Sequence, residues 1–132
     1  MRFPVSDLST CVKQLCAKEW QQLWNQCTSN KLYSVQPVIG RNINLSLSRY
    51  DSVLINQLRI GHTRLTNSYL LKRERQPVCQ VCHSPLTVKH ILADNICFSA
   101  AGQRYFGVDT LKDVFDIVAP RNIIAFVKDI NF

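Results

Sequence analysis

Acidic residues are scarce in this chain of 132, where nine carboxylates stand against sixteen lysines and arginines. The nine are Asp7, Glu19, Asp51, Glu74, Asp94, Asp109, Asp113, Asp116 and Asp129. They fall near expected helix ends or on polar faces, and no compact set of them offers the two-metal site that nuclease chemistry uses. Also missing is any apolar run long enough to cross a membrane. Residues 1–20 lack the uninterrupted apolar core behind a basic start that marks a secretory signal. Without that signal, the six cysteines do not read as a secreted disulfide scaffold. Cys11, Cys16 and Cys27 stand at helical spacing among apolar residues, where cysteine acts as a small hydrophobe. An intracellular protein with reduced thiols, cytoplasmic or nuclear, is expected.

What is present points to a folded domain. Hydrophobic residues make up 46% and charged residues 19%, a balance found in globular proteins rather than disordered ones. The length suits one domain over residues 1–132, with a single core. A net charge of +7 and a pI near 9.3 favour an acidic partner, nucleic acid being the default candidate. A fragment separated from an acidic companion domain would show the same charge.

Along the chain the pattern is helical. In residues 1–30, Leu8, Cys11, Val12, Leu15, Cys16, Trp20, Leu23, Trp24 and Cys27 trace an amphipathic stripe behind an N-cap at Ser6-Asp7. Trp20 and Trp24, four apart on that stripe, are expected in the core. Residues 31–48 read as a connector, with Pro37 and Gly40 breaking any period. The basic segment 49–76 holds two helices separated by Gly61. Val53, Leu54, Leu58 and Ile60 are expected to form the buried side of the first; Leu65, Tyr69 and Leu70 carry the second to Lys72. In residues 99–132, Asp109 or Thr110 can cap one helix and Pro120 fits the first turn of another. The expected fold is mainly α, a small helical domain with a short cysteine-bearing hairpin.

Most of the positive charge lies between positions 41 and 75, where Arg41, Arg49, Arg59, Arg64, Lys72, Arg73 and Arg75 face only Asp51 and Glu74. Such a cluster can contact phosphates through charge and counterion release without reading sequence. A solvated helix surface would look the same.

Residues 77–98 carry the chemistry. Cys79 and Cys82 are two apart across a tight turn, His90 follows at the start of a helix, and Cys97 lies further on. A turn that presents two thiolates and a helix that supplies an imidazole together build a small structural zinc site. One zinc is the expected cofactor. No second C-x-x-C pair completes the set, so the remaining ligand is Cys97 or, less favourably because it adjoins Cys82, His83. A hydrophobic hairpin with two incidental thiols is the competing reading. His62 has no nucleophile beside it in a recognisable arrangement, and Cys79 or Cys82 has no oriented third group for a Cys-His protease.

Several stretches in combination resemble one family. Leu58-Arg-Ile-Gly-His-Thr-Arg-Leu-Thr66, Ser68-Tyr-Leu-Leu71, Pro77-x-Cys-x-x-Cys82 and Leu86-Thr-Val-Lys-His-Ile-Leu92 are similar to the C-terminal tail of jockey-like non-LTR retrotransposon polyproteins of arthropods. Pro4-Val-Ser-Asp-Leu8, Glu19-Trp20, Trp24-Asn25, Asn30-Lys-Leu-Tyr33, Leu111-Lys-Asp-Val-Phe115 and Ile123-Ile-Ala-Phe-Val-Lys128 extend the resemblance over nearly the whole chain. In that family the tail follows reverse transcriptase and RNase H domains, neither of which this chain contains. Where the family places its last motif cysteine, this sequence has Asn95, and Cys97 comes two residues later.

The resemblance implies a non-catalytic remnant of a polyprotein, a nucleic-acid-binding accessory tail. In that role Arg59, Arg64, Lys72, Arg73 and Arg75 would neutralise phosphates of RNA or an RNA–DNA hybrid, while the zinc hairpin fixes the helices that present them. The alternative is a structural module that packs on the RNase H domain of a related polyprotein and is inactive alone. Neither reading involves a membrane.

Overall fold

The computed structural model describes residues 5–40, 46–94 and 99–130. They are mainly helical, and the chain gathers into two compact units, Met1–Asn44 and Leu45–Phe132, where its length alone suggests one.

The first unit is built on α1, Val5–Asn25, which starts ahead of the expected Ser6-Asp7 cap. α2, Lys31–Val35, occupies part of the expected connector; Asn30 caps it by accepting from Leu32 N at 2.8 Å. Side chains late in α1 hold the chain beyond α2. Gln21 Nε2 donates to Pro37 O at 2.8 Å, and its Oε1 accepts from Ile39 N at 2.9 Å. Trp24 Nε1 donates to Gln36 O at 2.9 Å while its ring meets Tyr33 edge-on, centroids 5.6 Å apart. Val35 is buried here.

The apolar stripe of α1 forms as the periodicity indicates but is not buried. Leu8, Val12, Leu15, Trp20 and Leu23 are all at least half exposed, Trp20 at 64%. The expected burial of Trp20 is therefore corrected, and Trp24 is only half-buried. Spacing shows that a helix is two-sided; it does not supply the surface that covers the apolar side.

The second unit begins with two helices joined by a tight turn. α3 spans Arg49–Arg59 behind Ser48, whose side chain accepts from Asp51 N. It ends in a paired hydrogen-bond motif, Gly61 N to Leu58 O at 3.1 Å and His62 N to Gln57 O at 3.0 Å. Gly61 sits at φ 66°, the left-handed conformation that this helix ending needs and glycine adopts without a Cβ penalty. α4, Arg64–Lys72, follows at once. Its cap is a buried pair: Thr63 Oγ1 accepts from Thr66 N at 3.2 Å, and Thr66 Oγ1 accepts from Thr63 N at 3.3 Å. Both threonines are 3% exposed, so an orphaned donor left there has no water to turn to. Thr63→Ala is expected to lower stability by about 1–2 kcal/mol, read as a shifted urea midpoint with an unchanged slope.

Further along are a π-helical turn, His90–Asp94, then α5 (Ser99–Tyr105), α6 (Leu111–Asp116) and α7 (Pro120–Asp129). Thr110 caps α6, accepting from Asp113 N at 3.1 Å, and Pro120 opens α7, both as the sequence indicates. α7 packs against α3 and α5, and the π-helical turn packs against α5 and α6. At the centre Phe126 is fully buried, with Phe106 4.7 Å and Tyr105 6.0 Å away by ring centroid. Ile55, Leu58, Val88, Ile91, Leu92, Val114, Ile123 and Val127 join the same cluster.

The inward side of α3 matches the expected one only in part. Ile55, Leu58 and Arg59 are buried, Leu54 is half-buried, and Val53 and Ile60 are exposed. Residues 55, 58 and 59 are spaced as one helical face, so the inward side runs through an arginine.

Candidate metal centre

The cysteine hairpin is held by backbone hydrogen bonds. Val78 and Pro85 meet in an antiparallel bridge. Leu86 N donates to Pro77 O at 2.8 Å, Cys79 N to Ser84 O at 2.9 Å and His83 N to Cys79 O at 2.9 Å. His83 completes the turn at φ 57°, a left-handed position in which histidine is enriched several-fold over most residues.

This turn brings amide hydrogens to a sulfur. The backbone N–H of Cys82, then the His90 side chain, then the N–H of Val81 lower the Cys79 pKa from 9.0 to about 6, against an opposing effect of burial. Hydrogen bonds to the charged form favour that form, so the hairpin stabilises the thiolate, the species that binds metals.

His90 arrives from the other side on a turn with its own cap. Thr87 Oγ1 accepts from His90 N at 3.1 Å, and Thr87 O accepts from Ile91 N at 3.0 Å. Val88, Ile91 and Leu92, which flank His90, are all in the hydrophobic cluster. The imidazole is thus carried on a segment locked into the core. Thr87 is a positioning residue that sequence reasoning passed over, although its place three residues before His90 is an N-cap spacing.

The three groups converge. Cys82 Sγ lies 3.3 Å from His90 Nε2, and the ligand atoms of Cys79, Cys82 and His90 are all within 4.8 Å of one another. Cys79 and His90 are buried, while Cys82 is at the surface. Two thiols and an imidazole at this separation can hold a metal ion, and among the described residues no other group of three does so. Cys97, the expected fourth ligand, lies outside the described residues, as does Asn95. His83 is exposed and is not one of the converging groups.

The expected phosphate contacts divide. Arg64, Lys72, Arg73 and Arg75 are exposed, as is Arg49. Arg59 is only 9% exposed, because it follows Leu58 and lies one helical turn after Ile55. It is not among the cations presented at the surface, and the spacing from Ile55 was the signal that could have shown this. Arg41 lies outside the described residues.

No known protein family, curated protein or solved structure matches this chain. Among the described residues, no helix is long and apolar enough to cross a membrane.

Proposed function

We propose that this chain is a non-catalytic accessory module in which a zinc-bound Cys-His hairpin holds a basic helical segment against the phosphates of RNA or an RNA–DNA hybrid. The role is the one implied by the resemblance to the retrotransposon tail that follows reverse transcriptase and RNase H. One observation carries it: exposed cations lead from α4 to the hairpin, with only one carboxylate, Glu74, among them. α4 ends at Lys72; Arg73 and Arg75 follow, both exposed, and Pro77 begins the hairpin. Glu74 N and Arg73 N both donate to Tyr69 O, so the turn that carries these charges is tied to the helix.

The metal assigned is zinc. Tetrahedral bonds of about 2.3 Å to sulfur and about 2.0 Å to nitrogen separate the two ligand atoms by about 3.6 Å. The Cys82–His90 separation of 3.3 Å needs only a small opening to meet that. Thiolate and imidazole donors suit zinc over magnesium or calcium, which take oxygen. Cys79, Cys82 and His90 are the assigned ligands, with Cys97 as the fourth.

Titration with a labelled RNA–DNA hybrid across salt tests the reading. Four phosphate contacts predict a fall in affinity of about 100-fold between 50 and 200 mM salt; affinity independent of salt would sink the proposal. Arg73 supplies a sharper variant because it sits at φ 56°, a conformation that strains a residue with a Cβ. Arg73→Gly is expected to leave stability unchanged or raise it by up to about 1 kcal/mol. The same change lowers the salt slope by about one.

The second reading, a structural module that packs on an RNase H domain, is favoured by the exposed stripe of α1. Val5, Leu8, Leu15, Trp20 and Leu23 there are each more than 60% exposed, and a contiguous apolar surface marks an interaction site. Salt-independent affinity together with concentration-dependent self-association would select it.

A further inference from the structure

Between α3 and α4 lies an open groove of about 550 Å³, within the size range of small-ligand sites. Val53, Leu54 and Leu65 give it an apolar lining, while Gln57 and Ser68 supply polar groups. Tyr50, 74% exposed, and Arg64, also exposed, line it too. No carboxylate lines the groove, and Arg64 has no acidic partner among the described residues.

An aromatic ring, an apolar wall and an unpaired guanidinium in one groove fit a ligand with a flat body and an anionic link. We infer that the groove receives an unstacked base of single-stranded nucleic acid, with the base against Tyr50 and a neighbouring phosphate at Arg64. The inference rests on the nucleic-acid reading above and adds strand preference to it. A duplex keeps its bases stacked inside and offers this groove only backbone, whereas single strands bind through aromatic platforms beside positive charge. Charge bears on the occupant: a neutral apolar peptide would match only the apolar lining, whereas Arg64 in the groove, with Arg49 on α3 and Lys72 on α4, all exposed, puts positive charge on both helices that line it. That charge favours a polyanion.

The test is anisotropy titration of the full chain, supplied with zinc, against a fluorescein-labelled RNA of about 12 nucleotides, and against the same sequence as a duplex. Tyr50→Ala is expected to weaken single-strand binding about tenfold, the scale of one base–aromatic stack, while duplex binding stays unchanged. Tyr50→Phe keeps the ring and is expected to bind as the parent does. Arg64→Gln weakens both substrates and lowers the salt slope by about one. Tyr50 is a surface residue, so loss of folding is not expected, and circular dichroism of each variant checks it.

If the parent binds single strand and duplex alike and Tyr50→Ala changes neither, the groove inference is overturned while the phosphate-binding reading stands. If the parent binds no nucleic acid, both fall. If Tyr50→Ala alters self-association but not RNA affinity, the groove belongs to a protein contact and the inference is again overturned.

Discussion

One zinc ion per chain, lost in Cys79→Ser, is the expected outcome of elemental analysis on purified, tag-free protein. The effect is large because structural zinc in small peptides contributes an apparent binding free energy of about 10–16 kcal/mol at neutral pH, and a serine hydroxyl is a poor replacement for a thiolate. His90→Ala removes a ligand as well as a buried ring on a core segment, so it should lose zinc and stability together. Cys79→Ser leaves the buried His90 ring in place, so its loss of stability reports on the zinc and the thiolate rather than on an emptied core position. No zinc in a folded parent protein would end the metal assignment.

The pH dependence follows from the Cys79 thiol. Its pKa is about 6 in the folded chain against an ordinary 9.0, held down first by the Cys82 amide. A pKa lowered by folding means that the thiolate stabilises the fold fully above pH 9.0, and that this contribution fades as the pH falls to about 6. In metal-free protein, the urea midpoint of the parent should therefore rise relative to Cys79→Ser between those limits. Zinc binding at pH 7.5 should draw almost no proton from Cys79, and affinity should weaken once the pH drops below about 6. A parent-to-variant difference that is flat from pH 6 to 9 would show that the amide hydrogens do not hold the thiolate.

Phe126→Ala is expected to cost about 3–5 kcal/mol, the range for emptying a buried aromatic site. Against a total stability of about 5–15 kcal/mol for a typical domain, that is enough to leave Leu45–Phe132 near its midpoint without denaturant. Ile117→Ala, at a position 70% exposed, should stay within about 0.5 kcal/mol and serves as the control. Because Val88, Ile91 and Leu92 share a cluster with Phe126, zinc that binds the folded form only should raise the midpoint of Phe126→Ala by mass action. Failure of zinc to do so, in a variant that still takes up the metal, would mean that hairpin and core are energetically separate.

Sequence reasoning reached furthest where local chemistry decides the outcome. Thr110 and Pro120 start helices because capping and a missing N–H act over one turn, and Gly61 ends one for a similarly local reason. The Cys79, Cys82 and His90 set was visible because its spacing reflects a short closed turn. Outcomes set by distant surfaces were less legible. The stripe of α1 is real, yet exposed, since periodicity carries no information about what faces it. On α3 hydrophobicity indicates Leu58 and Leu54, which do pack inward, but also Val53 and Ile60, which are exposed, and it passes over Ile55 and Arg59, which packing buries. α2 is five residues long, too short for a periodic signal, and only its Asn30 cap announces it.

The contact between α3 and α7 also has a consequence for synthesis. Ile55 and Leu58 leave the ribosome about seventy residues before Phe126, an interval of several seconds at about 5–20 residues per second. Through that interval the nascent chain has made α3 but not the helix that covers it. Its apolar side is open to chaperones or to other nascent chains, while the hairpin that bears Cys79, Cys82 and His90 emerges part-way through. The order of emergence thus leaves the aromatic core, which needs Phe126 of α7, to close last.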